Sequence, residues 1–408
     1  MRSETSPRPG CSTVRGWRAL PPGIWALGFG SLFMDSSSEL IHSLLPVFMV
    51  TTLGASMATV GVIEGVAEAT AAIIKVFSGA VSDFLGKRKL LMVLGYALAA
   101  LSKPIFPLAT SVGWVFTARF VDRVGKGVRG APRDALVADI TPSAMRGAAY
   151  GIRQALDSVG ALLGPLLAML LMALLANDIR AVMWWAVLPA LLAVALLVTL
   201  VREPVRAFAP GTVRAPITVA EVKRLPLSYW RVVVLGAFVT LARFSEAFLV
   251  LRANDVGIAL GYVPLVLMVM NVVYAGSAYP AGVAADRLSR RALLLAGLAM
   301  LVVADGVLAV AASPLLVFIG AACWGLHMGL SQGLLAKLVA DTSPVALRGT
   351  AFGIFNLVSG GALLLASTIA GALWTAFGPR STFLAGATFA MVAACGLIAY
   401  RQSPQATQ

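Results

Sequence analysis

Asp35, Glu39 and His42 stand at i, i+4 and i+7, the spacing that puts side chains on one face of a helix. Glu64, Glu68 and Lys75 share a face in the same way, as do Arg146, Arg153 and Asp157, and Arg243 precedes Glu246 by about one helical turn. Between them, Arg119, Asp122, Arg123, Lys126, Arg129 and Arg133 fall within roughly 120° of one another at 100° per residue, so a helix here presents one cationic face. In apolar surroundings an unpaired carboxylate exchanges protons near neutral pH. An arginine or lysine beside it holds an anionic group or sets its ionisation. Asp35 and Glu39 are therefore the first candidates for carrying a proton, with Glu246 third. His42, Glu64, Glu68, Arg119, Asp122, Arg123, Lys126, Arg153, Asp157 and Arg243 are candidates for lining a solute cavity. A purely structural reading stands beside this one: Asp35 or Glu39 is held by Arg153 or Arg119 and only ties helices together, and His42 is a satisfied interior histidine. Arg129, Arg133 and Asp134 then lie at the membrane interface near Asp139.

The surroundings are indeed apolar. Of 408 residues, 59% are hydrophobic and 12% charged, the composition of a polytopic membrane protein. The net charge of +14 comes largely from Lys and Arg at the ends of apolar segments, where they orient helices, so nucleic acid is not an expected partner. Cys11, Cys323 and Cys395 have neither metal-ligand nor redox spacing. No metal or cofactor is expected, and the absence of a phosphate-binding glycine loop leaves an ion gradient as the energy source. Apolar segments near 24–50, 59–82, 90–110, 113–139, 146–176, 181–201, 230–252, 260–285, 292–312, 314–340, 347–377 and 380–401 predict an all-α membrane protein of twelve transmembrane helices.

The polar interval 202–229 divides these spans into two sets of six, giving a tail over 1–23, halves over 24–201 and 230–401, and a second tail over 402–408. Lys87 to Lys89, Arg146, the central loop and Arg287, Arg290 and Arg291 fall on the side of the tails. The positive-inside rule then makes both termini cytoplasmic, and no cleavable signal is expected at the start. The halves also repeat. Gly79 and Asp83 with Lys87 and Arg88 match Gly282 and Asp286 with Arg290 and Arg291 at an offset of about 203, and Asp139, Arg146, Gly147 and Gly151 match Asp341, Arg348, Gly349 and Gly353 at about 202, which marks a duplication.

Gly79, Asp83, Gly86, Lys87 and Arg88 resemble the loop motif between spans 2 and 3 of the major facilitator superfamily, a fold built from repeated six-helix halves. Asp286, Arg287, Arg290 and Arg291 resemble its second copy, and Arg119 stands where the family's span-4 arginine would be. Gly151, Gly160, Gly164 and Pro165 are similar to the span-5 signature of its proton-coupled exporters. The second half has Ala362, Ala366 and Ser367 in place of Gly160, Gly164 and Pro165. After Arg119 the chain departs from the family's usual Gln-Gly pair with Asp122 and Arg123.

The resemblance implies a major facilitator fold in an inner membrane, gating by Asp83 with Arg88 and Asp286 with Arg291, and close packing of span 5 at Gly151, Gly160 and Gly164-Pro165. Phe244, Phe248, Tyr274 and Trp324 could contact an amphiphilic solute. The functional expectation is a monomeric proton-coupled exporter of a small solute, either a drug-like amphiphile or an organic anion. Efflux of a metalloid, metal species or siderophore, and uptake by proton symport, are the alternative transport readings. A membrane sensor or enzyme is disfavoured because His42 and His327 are the only histidines and no nucleophile-base trio is visible.

Overall fold

In the computed structural model, the described residues are 20–142, 145–203, 219–287, 289–344 and 347–399. Among them the chain is helical. The long helices are α1 Pro22–His42, α2 Met57–Leu85, α3 Arg88–Ser102, α4 Val112–Ile140, α5 Arg146–Leu174 and α6 Val187–Leu200. They continue as α7 Leu227–Leu241, α8 Leu265–Arg287, α9 Arg290–Val310, α10 Pro314–Thr342, α11 Arg348–Phe377 and α12 Pro379–Ala399. Short helical turns extend several of them: Leu45–Val47 and a π-helical Phe48–Thr52 after α1, Ile105–Leu108 after α3, Ile179–Trp184 before α6, and Ala247–Asp255 after α7.

Eight of these rods are long and apolar enough to cross a membrane by length and composition: those containing α3, α5, α6, α8, α9, α10, α11 and α12. The other four, α1, α2, α4 and α7, carry or adjoin the clustered charges. In hydrocarbon every backbone polar group must bond internally and every charge must find a partner or water, so the clustered charges of these four turn inward while apolar side chains such as Phe29, Phe77, Trp114 and Val234 stay exposed.

Two runs anticipated from sequence differ in form. The stretch 230–252 is not one helix: it breaks between Leu241 and Ala247, so Arg243, Phe244, Ser245 and Glu246 lie in unwound chain and not on successive helical turns. Conversely α4 runs unbroken through Gly125, Gly127, Gly130 and Pro132. Two of its glycines serve packing: a Cβ on Gly125 would meet the Gly95 carbonyl of α3 at 2.5 Å, and one on Gly127 would meet Ile74 of α2 at 2.7 Å.

Helices α1 to α6 pack mainly among themselves, as do α7 to α12, and the two sets meet most extensively where α2 lies along α11. Small residues make this seam. A Cβ on Gly61 would sit 2.2 Å from the Ser367 carbonyl, one on Gly371 would sit 2.4 Å from the Met57 carbonyl, and Gly65 abuts Leu364. Without side chains in the way the two backbones approach closely, the usual means by which membrane helices gain dispersion contacts. The Ala58 N–H donates to Thr375 Oγ1 across the same seam at 3.0 Å. It lies at the end of the bundle away from the termini, where Leu45–Val47 also packs on Ala247–Asp255.

Gly61 and Gly361 separate helix propensity from packing. Replacing glycine by alanine inside a helix normally stabilises it by about 0.8–1 kcal/mol. A Cβ on Gly361 meets nothing within 4 Å, whereas one on Gly61 overlaps backbone. Gly361→Ala should leave thermal unfolding in detergent unchanged or slightly higher, and Gly61→Ala should destabilise by about 1–3 kcal/mol. Equal responses of the two variants would refute the tight seam.

Candidate functional site

On the termini side of the seam lies a cavity of about 830 Å³, walled by α1, α2, α4, α5, α7, α8, α10 and α11. Its charged lining comprises Asp35, Glu39, Glu68 and Asp157 with Lys75, Lys126, Arg129, Arg133 and Arg243. Gln154, Asn271, Tyr274 and Asn356 add neutral hydrogen-bonding groups.

Helix α4 organises the charge. Its cationic face forms as the spacing requires, and acids on the neighbouring helices meet it at successive levels. At the deepest level Arg119 Nη2 donates to Glu64 Oε2 at 2.7 Å, and that same oxygen lies 3.3 Å from His42 Nε2. His42 Nδ1 is 3.5 Å from Glu39 Oε2. One turn on, Arg123 Nη1 is 3.1 Å from Glu68 Oε1. Asp122 turns the other way and accepts from Lys103 Nζ at 2.8 Å, and Lys103 also donates to Ser38 Oγ at 2.9 Å. Nearer the termini, Arg129 Nη2 stands 3.5 Å from Asp35 Oδ1, its guanidinium over the Tyr96 ring. Arg133 donates to Ser31 Oγ and lies 3.8 Å from Asp157, which accepts from Arg153 at 2.7 Å. An isolated charge at membrane depth costs about 2.5–3.5 kcal/mol on insertion scales. Reciprocal pairing is what lets so many coexist in one bundle, and removing a single partner leaves the other stranded.

Helix α5 fixes how α1 offers its carboxylates. A Cβ on Gly160 would meet the Leu32 carbonyl at 2.6 Å and Asp35 Cβ at 3.1 Å, and one on Gly164 would meet Glu39 Cβ at 2.5 Å. The two glycines are thus seated against the two residues of α1 whose acids reach the cavity. Pro165 is buried beside them within α5. Gly151 departs from the expected packing role: it is exposed with nothing within 4 Å, because this end of α5 has no helix against that face.

The cavity wall is drawn elsewhere than sequence alone places it. Asp35, Glu39, Glu68, Lys126, Asp157 and Arg243 line it. His42, Glu64, Arg119, Asp122, Arg123 and Arg153, expected on the cavity, are buried behind its wall, each turned toward a partner: Arg153 to Asp157 on its own helix, the others to groups outside theirs. Arg129 and Arg133, expected at the membrane interface, are instead drawn inward by Asp35 and Ser31. Glu246 is half-buried in the α7 break and lies outside the lining. Its neighbour Ser245 makes a polar link between the two helix sets, with Oγ donating to Glu64 Oε2 at 3.4 Å, while its N–H donates to Ser367 Oγ at 3.1 Å.

Of the aromatic candidates, Tyr274 lines the cavity. Phe244, Phe248 and Trp324 do not; they are buried in a cluster with Phe383 and Trp374, ring centroids 5.1–6.1 Å apart.

Of the anticipated gating residues, Arg88, Gly79 and Arg291 have contacts that can be described. Arg88 Nη1 donates to Asp139 Oδ2 at 2.7 Å, and Gly79 packs against Ala131 of α4. Arg291 donates to the Ile398 carbonyl of α12. The side chains of Asp83 and Asp286 lie outside the described residues.

Sequence reasoning overlooked Lys103, although a lysine inside an otherwise apolar run is itself the signal. It also passed over Asn271 and Asn356, amides within apolar segments, and Asp305, which is fully buried with no hydrogen bond to either oxygen among the described residues.

Comparison with known proteins bears on this architecture. The sequence profile of the Major Facilitator Superfamily matches residues 27–251 and 232–408. An uncharacterized MFS-type transporter of Methanocaldococcus jannaschii is 30% identical over 383 residues, covering 92% of this chain and 94% of that protein. The inner membrane transport protein YajR of Escherichia coli is 24% identical over 386 residues, covering 90% and 81%. Among solved structures, a bacterial homolog of the human lysosomal transporter Spinster, crystallised inward-facing and unoccupied, superposes with a TM-score of 0.76 at 15% identity over 96% of this chain and 100% of that one.

The Arg119–Glu64 pair yields a test of the buried network. Arg119→Ala strands Glu64, and breaking a buried pair costs about 3–5 kcal/mol. Adding Glu64→Gln should return at least about 1 kcal/mol of that, read from thermal unfolding of the purified protein in a double-mutant cycle. Strictly additive effects would show that the two side chains do not support each other.

Proposed function

The chain belongs to the major facilitator superfamily, and from that premise we propose that this secondary transporter exports a small organic anion or zwitterion in exchange for protons. The observation that carries the reading is the seating of Gly160 and Gly164 of α5 on Asp35 and Glu39 of α1, with both acids lining the cavity. The contact holds two proton-accepting groups at the solute path and packs the adjacent helix interface too tightly for water. The likeness of Gly160, Gly164 and Pro165 to the exporter signature supports the outward direction.

The substrate class follows from the balance of the wall. Asp35 and Asp157 are taken up by Arg129, Arg133 and Arg153, and Glu68 by Arg123. Lys75, Lys126 and Arg243 make no ion pair among the described residues while facing the same space. A carboxylate, phosphate or sulfonate on the solute answers these three cations. The polar amides of Asn271 and Asn356 and the ring of Tyr274 suit the rest of a modest organic skeleton.

In this account twelve transmembrane helices form two six-helix halves, 24–201 and 230–401, joined by the loop 202–229, in an inner membrane with both termini cytoplasmic. The seam of α2 with α11 closes the periplasmic side while the cavity faces the cytoplasm. Rocking of the halves opens that seam, breaks the Ser245–Glu64 link and exposes the cavity outward. Protonation of Asp35 from outside releases Arg129 from its partner, and solute and proton exchange places as the halves swing back.

Everted vesicles carrying an acid-inside gradient and a pH-sensitive dye provide the test. Addition of the transported anion should dissipate the gradient in vesicles with the wild-type chain. Asp35→Asn should reduce that response at least about tenfold, while solute-for-solute exchange without a gradient survives. Retention of full proton coupling by Asp35→Asn and Glu39→Gln variants alike would exclude the proposed carriers.

A further inference from the structure

A second concavity lies on the outer surface, between α7, α9, α10 and α12, with a volume of about 690 Å³. Its walls are apolar, with Leu227, Val234, Phe238, Leu294, Val392 and Leu397 prominent. Its two charged residues are Arg231 and Arg291, and no acid lines it. On α7 the groove runs from Leu227 to Phe238, about 16 Å at 1.5 Å per residue. One leaflet, half of a hydrocarbon core of about 30 Å, has that depth.

The polar groups gather at the shallow end. Arg231 lies just past the first turn of α7, next to Trp230, and Arg291 lies in the first turn of α9. Arg231 is exposed and makes no hydrogen bond or ion pair among the described residues. Arg291 donates to the Ile398 carbonyl and pairs with no carboxylate among the described residues. Two guanidinium groups without acids, with about 10 Å of apolar groove beyond Arg231 along α7, match the headgroup and upper acyl chain of an anionic phospholipid. Guanidinium binds phosphate oxygens bidentately, and tryptophan favours the headgroup level.

Val232 and Ala399 also line the groove, Ala399 with only a methyl group. A second copy of the chain is a poorer occupant, since a symmetric contact through this face brings Arg231 and Arg291 of both copies together with no acid to meet them.

We propose that this groove is a binding site for an anionic phospholipid, with one acyl chain along Val234, Phe238 and Val392 and the phosphate between Arg231 and Arg291. The site is distinct from the central cavity and does not depend on which solute is carried.

Native mass spectrometry of the full-length protein, delipidated in mild detergent and titrated with phosphatidylglycerol or phosphatidylcholine of identical chains, tests it. Phosphatidylglycerol should bind at least about tenfold more tightly. Arg231→Gln and Arg291→Gln should each weaken phosphatidylglycerol roughly fivefold and leave phosphatidylcholine unchanged. Arg231→Lys should keep most of the preference, and Ala399→Leu, with both arginines intact, should weaken both lipids. Equal binding of the two lipids, a preference untouched by the glutamine variants, an equal loss in Arg231→Lys and Arg231→Gln, or a dimer formed through α7 and α12 would each overturn the proposal.

Discussion

The structure depends on the cost of placing charge where water is scarce. Helix α4 carries five cationic residues from Arg119 to Arg133, and a chain that inserts them must supply acids at matching heights or leave a path for water. Both solutions are used. Glu64 and Glu68 of α2, Asp35 of α1 and Asp157 of α5 answer successive turns of α4, and Lys126, without an ion pair among the described residues, faces the cavity. Lys103 and Asp122 add a further buried pair, between the end of α3 and α4. The first helix set is thereby cross-linked by ion pairs, while the second, apart from Arg243 and Glu246 at the break in α7, brings mostly apolar and amide groups to the centre.

This division assigns different tasks to the two sets. A cross-linked set behaves as one body, because moving one helix breaks several pairs at once. The seam between sets is made instead of glycine contacts and a few weak polar links such as Ser245 to Glu64. Such contacts separate and re-form at little cost, as a bundle whose halves move against one another requires. Glu64 joins the two regimes, since one oxygen receives Arg119 and Ser245 and lies beside His42.

Much of the fold was legible in the residues. Apolar segment lengths mark the helices, and the repeated motif at Asp139 and Arg146 marks the duplication. The one-sided cationic face of α4 follows from helical periodicity alone. Pairing was not legible, because helix periodicity fixes which residues share a face but not which helix that face meets or at what height. Arg129 reads as an interface residue by its distance from the end of the apolar run, yet the close approach of α3 at Gly95 and Gly125 lets it lie over Tyr96 and reach Asp35. The break at Arg243 to Glu246 has no glycine or proline to announce it; the segment is held by Ser367 of a helix distant in sequence. Lys103 lies inside the apolar segment 90–110, and periodicity did not say that it would meet Asp122 of α4.

The central claim, a water-filled and charged cavity reached from the side of the termini, is most directly tested by cysteine accessibility. Ser158→Cys on α5 and Thr240→Cys on α7 both place a thiol on the cavity wall, in a chain whose native cysteines have been replaced. A membrane-impermeant thiol reagent should modify both at least about tenfold faster in everted vesicles than in right-side-out ones, the ratio expected when the outward-open state is a minor population. Protection from both sides, or faster modification from the outer side, would contradict it.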